Sequence, residues 1–136
     1  MIVINAVEFL KTIYLGDRYC TKMIFDGINN VVEVHINCIS RVRDVSGYWN
    51  YYNDENIENG VIVISGIQKI VYDKNGLIPN DEISIQAQPT NNGNYEFLLE
   101  ACYVDKEAQS HDVTISVFAE DVYLIDPTNP VEKITK

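Results

Sequence analysis

From Thr21 onward the apolar residues of this chain recur at every second position, a period that suits strands with one dry face and one wet face. Val32, Val34, Ile36 and Cys38 alternate with Glu33, His35 and Asn37. Ile83, Ile85 and Ala87 alternate with Ser84, Gln86 and Gln88, and Tyr95, Phe97, Leu99, Ala101 and Tyr103 with Glu96, Glu100 and Cys102. Val113, Ile115 and Val117 repeat the pattern around Thr114 and Ser116, so the three later runs read as a meander. Residues 22–26 and 31–39 flank a turn containing Gly27, Asn29 and Asn30 and read as a hairpin. Val61, Ile62, Val63 and Ile64 are continuously apolar, as in a strand buried on both faces; Gly66 then suggests a bulge before residues 67–72. Asp73, Lys74, Asn75 and Gly76 are turn chemistry, and a last short strand covers 122–125.

One segment has a helical period instead. Asn5 is a cap, Glu8 stands three residues on, and Phe9, Leu10, Ile13 and Tyr14 form an apolar stripe that ends at Gly16. The reading is a mainly β fold, an antiparallel β-sandwich or open barrel of about eight strands with one N-terminal α-helix. The 136 residues suit a single domain over 1–136, with the helix at 5–15, a β-rich body at 21–126 and a frayed tail at 127–136.

Charge narrows the partners. Twenty Asp and Glu stand against ten Lys and Arg, so no basic stripe is present to hold nucleic acid or an anionic membrane, and a cationic partner is the natural complement. Three cysteines, Cys20, Cys38 and Cys102, lack the paired spacing of a disulfide framework or zinc knuckle. With no basic leader and no apolar run of membrane-spanning length, the expected location is cytoplasmic.

The segment 48–58 concentrates aromatic and acidic residues. Trp49, Tyr51 and Tyr52 offer rigid contact area, and Asp54, Glu55 and Glu58 offer pairs for Arg or Lys, which together make a candidate partner-binding surface. The bland alternative stays open: the aromatics plug one end of the sandwich and the acids are a solvated loop. Calcium is disfavoured because the spacing of a calcium loop is absent from Asp54 or Asp73, so no metal and no cofactor is expected. His35 and Cys38 fall on opposite faces of one strand, with Cys38 expected in the core and His35 exposed beside Glu33. Ser110, His111 and Asp112 are neighbours in a predicted turn and cannot form a triad, so no catalytic residues are assigned. Arg41 and Arg43, with Arg18, are candidates for an anion site or, more simply, for ion pairs with nearby carboxylates.

The run 37–43 (Asn-Cys-Ile-Ser-Arg-Val-Arg), the stretch 49–60 from Trp49 to Gly60, and residues 76–81 resemble an uncharacterised family of small bacterial proteins. Its members look like the small acidic immunity proteins that neutralise toxins of contact-dependent inhibition and other polymorphic toxin systems. The resemblance implies an immunity protein that binds a cognate toxin domain and covers its active site or substrate access; the acidic charge makes a basic domain, a nuclease acting on a polyanion, the expected partner. Read from the residues alone, a β-sandwich module binding a small molecule or carbohydrate through Trp49 and the tyrosines is the alternative.

Overall fold

In the computed structural model, which describes residues 5–42 and 55–136, the Asn5 side chain accepts a hydrogen bond from the Glu8 amide at 2.9 Å and opens helix α1, Ala6–Leu10. The cap is as expected, but the helix stops well short of residue 15. The Thr12 amide and hydroxyl both bond the Phe9 carbonyl, at 3.0 and 2.7 Å, and end the helix. Ile13 and Tyr14 then enter strand β1 (Ile13–Tyr14), because pairing with a later strand outweighs their place on the helical stripe.

The other strands are β2 (Cys20–Asp26), β3 (Val31–Ile36), β4 (Cys38–Arg41), β5 (Asn56–Glu58), β6 (Val61–Tyr72), β7 (Ile83–Pro89), β8 (Tyr95–Val104) and β9 (Ser110–Ile125). They form two antiparallel sheets, ordered β1-β4-β5 and β2-β3-β6-β9-β8-β7. One hydrophobic cluster joins α1 and both sheets, with Phe9, Ile39, Ile62, Phe97, Leu99 and Leu124 among its fully buried members. The fold is mainly β and sandwich-like, and the larger sheet curls without closing into a barrel. Its two outer strands approach each other at a single backbone bond, from the Cys20 amide of β2 to the carbonyl of Asp81 just before β7, at 2.9 Å. Across the same concavity Phe25 meets Tyr72 edge-on, with ring centroids 6.4 Å apart.

The structure departs from the period-two reading in three places. The run expected to continue through residue 39 breaks at Asn37, whose amide and side-chain oxygen bond Tyr19 and whose carbonyl accepts from Asn59. The chain passes there from the large sheet to the small one and the buried parity slips, so Ile39 takes the core position expected of Cys38, which is only half-buried. The bulge expected at Gly66, by contrast, is present: β6 runs through it as one strand, bulged between Ile67 and Lys69 next to Gly66, whose φ is +68°. Opposite this bulge β9 also changes parity, from Val117 and Ala119 to Val122 and Leu124, which unites the meander strand with the expected last one. The tail, expected to fray from residue 127, turns back to the sheet: Ile134 exchanges both backbone hydrogen bonds with Leu124, each 2.9 Å.

Gly60 marks where β5 and β6 come closest to the core. A Cβ there would lie 2.7 Å from Ile39 Cδ1 and 3.1 Å from Ile57 Cγ2, both in the hydrophobic cluster. Gly60→Ala is expected to destabilise the protein by about 1–3 kcal/mol through overpacking, read as a lower urea midpoint at unchanged m-value.

Candidate functional site

Trp49, Tyr51, Tyr52 and Asp54 lie outside the described residues, as does Arg43. Glu55 and Glu58 are described, and both side chains are exposed at the β5 edge of the small sheet. Ile57 between them is buried, so strand alternation directs Asn56 and Glu58 outward while Ile57 ties the segment to the core. The Glu55 carbonyl accepts the Arg41 amide at 2.9 Å and holds the start of β5 against β4.

Beneath this edge lies a polar layer. Arg41 is 3% exposed; its guanidinium donates to Thr12 Oγ1 at 2.9 Å and stands 5.4 Å from the centroid of the Phe9 ring. Ser40, also buried, accepts from Arg18 at 2.9 Å and donates to Asn56 Oδ1 at 2.6 Å. These bonds join the residues just after α1, the 15–19 loop, β4 and β5, so Arg41 and Arg18 are built into the fold.

The histidines are likewise held locally. His35 Nε2 lies 2.9 Å from Glu33 Oε1 on the same face of β3, while Cys38 belongs to another strand of another sheet. His111 opens β9 rather than sitting in a turn, and its Nε2 lies 2.8 Å from Asp105 Oδ2. Asp105 also accepts the Glu107 and Gln109 amides; the His111 hydrogen bond first, then the Gln109 amide, hold its carboxyl below the usual carboxylate range. Among the described residues no three His, Cys, Asp or Glu side chains converge as metal ligands would. The three cysteines are free thiols, and burial pushes the Cys20 thiol up to about 11.

A site absent from the sequence reading appears where α1 and β1 approach the free edge of β7. A cleft of about 720 Å³ opens there, with Leu10, Ile13, Ile62, Ile83 and Ile85 as its apolar lining and Asp17, Glu82, Glu100 and Asp112 as its charged one. Among the described residues no Lys, Arg or His lines it. Among the described residues, none of these four carboxylates has a hydrogen-bond or ion-pair partner. Asp26, Asp73, Asp105 and Asp126, in contrast, are occupied by the amides of their own turns. The missed signal is spatial: Asp17, Glu82, Glu100 and Asp112 come from four separate stretches of chain, and no sequence window contains more than one of them and its neighbours.

Fold and cleft together define a mainly β protein with an acid-lined, apolar-floored groove beside a sheet edge. The chain belongs to a family of unknown function, DUF6258, which it matches over residues 4–136. No curated protein and no solved structure matches it.

The lowered carboxyl of Asp105 gives a signed pH dependence. A depressed folded-state pKa contributes stability that is complete above the unfolded value of about 4 and is lost as pH falls through the lower folded one. Asp105→Asn is therefore expected to melt below the wild type at neutral pH, with the gap narrowing below about pH 4 in thermal scans. A thiol reagent at pH 8 is expected to label Cys38 and Cys102 in the folded protein and Cys20 only after unfolding, as peptide mass mapping would read.

Proposed function

We propose that this protein is an immunity-type inhibitor that binds a cognate basic antibacterial toxin domain, a nuclease, in the cytoplasm and blocks its active site or its access to substrate. The observation that supports this most is the set of unpartnered carboxylates around an apolar-floored cleft with no base in its lining, on a chain with formal net charge −10. A nuclease domain is basic because its substrate is a polyanion. An acidic protein meets such a domain by electrostatic steering, which raises association rates to about 10⁸–10⁹ M⁻¹s⁻¹ at low salt. The apolar floor then supplies what charge alone does not, desolvated contact area that slows dissociation. On this reading Trp49, Tyr51 and Tyr52 are further anchors, with Asp54, Glu55 and Glu58 as their acidic rim.

The test is calorimetry at low and high salt between this protein and the C-terminal domain of the protein encoded beside it. Nanomolar affinity that weakens as salt rises is the expected result. No heat and no complex at micromolar concentrations would overturn the inhibitor reading.

A further inference from the structure

Within that reading of a cationic partner, we infer that the cleft takes an extended segment of the partner as an added strand on β7, with basic and apolar residues alternating along it. β7 is an outer strand of the six-stranded sheet, and among the described residues its far side carries no ladder. Such an edge presents unpaired amides and carbonyls, which proteins ordinarily guard with charge. β2, the opposite outer strand, carries Lys22 and Asp26, and β5 carries Glu58; β7, reading Ile-Ser-Ile-Gln-Ala-Gln-Pro, has no charged residue in seven. Among the described residues it is the long edge without a charged side chain, guarded only by Pro89 at its end.

The cleft's two linings also fall on the two faces of that edge. Ile83 and Ile85 point inward with Leu10 and Ile13, whereas Ser84 shares the outward face with Glu100 on β8. Asp112 lies outward on β9, one register step along. A strand hydrogen-bonded to β7 would send alternate side chains to these two faces. Those pointing inward would reach the Leu10, Ile13 and Ile85 floor; those pointing outward would approach Glu100 across β7, with Asp112 one strand further adding to the negative field. Backbone pairing supplies affinity in this mode of recognition, and the alternating pockets supply specificity. An acidic or uniformly polar segment fits neither face.

The probe is a capped Lys-Val alternating octapeptide, with a Glu-Val octapeptide as its control, followed by amide hydrogen exchange on the intact protein. Saturating Lys-Val peptide is expected to slow exchange over residues 83–87, and Glu-Val peptide to leave it unchanged. In the variant carrying Glu100→Lys and Asp112→Lys, both exposed positions, affinity for the Lys-Val peptide is expected to fall at least about tenfold. If the double reversal fails to fold, Glu100→Gln with Asp112→Asn is expected to weaken binding in the same direction. Protection on β2 or β5 in place of β7, or equal affinity of wild type and folded variants, would overturn the assignment. A neighbour-encoded domain that binds wild type and double reversal equally would also overturn it, with the inhibitor reading intact. No binding of that domain to the wild type, beside clear protection of β7 by the peptide, would reject the inhibitor reading and support the edge site.

Discussion

The β6–β9 ladder is the interaction on which the rest of the molecule depends. It runs from Val61 opposite Ile125 to Tyr72 opposite Ile115, and every other strand of the large sheet is added outward from it, β3 and β2 on one side, β8 and β7 on the other. The bulge beside Gly66 divides it into two halves with different buried parity, so one pair of strands serves two parts of the core. A bulge increases local twist, and the curl that brings Cys20 within reach of Asp81 follows from it. Asn30, at the β2–β3 turn, bonds the Ile67 carbonyl just past the bulge at 3.1 Å and fixes where the hairpin sits on the bent ladder.

The small sheet and α1 work as one cover over this concavity. Neither has a core of its own: α1 is one and a half turns long, and β1 and β5 are two and three residues. Their cohesion comes from the part-buried bonds that link the buried Arg41 and Ser40 to Thr12, Arg18 and Asn56, and from Phe9, Ile39 and Ile57 in the shared cluster. Replacing one member of such a buried polar layer leaves the others unsatisfied, so the cover stands or fails as a unit. The cleft exists because that cover, at α1 and β1, does not reach across the edge of β7.

Acidity has two roles on this surface. Some carboxylates are spent in turns, where they satisfy backbone amides, and others around the cleft have no partner among the described residues. Only the second kind can exchange water for a cation from a partner without first breaking an internal bond. Net charge therefore describes how strongly the molecule attracts basic partners, while the location of uncommitted charge describes where they would settle.

Period-two alternation made the strand-rich class, the β2–β3 hairpin, the inward set on β7 to β9 and the bulge at Gly66 legible from the chain itself, because side-chain direction along a strand is a local property. Asn5 as a cap was legible because its hydrogen bond from the Glu8 amide is made within three residues of chain. The length of α1 was not, since Ile13 and Tyr14 satisfy a helical stripe and a strand equally and only the presence of β4 decides between them. Nor was the slip at Asn37, which depends on hydrogen bonds to Tyr19 and Asn59, far away in sequence. Of the acid residues chosen from sequence, Glu55 and Glu58 do stand exposed, but that Asp17, Glu82, Glu100 and Asp112 line one cleft was not legible. The sequence by itself determined the kind of elements and the sign of the charge; tertiary structure decided which sheet each strand joined and which carboxylates met. Long-range pairing sets both, and neighbours along the chain carry no record of it.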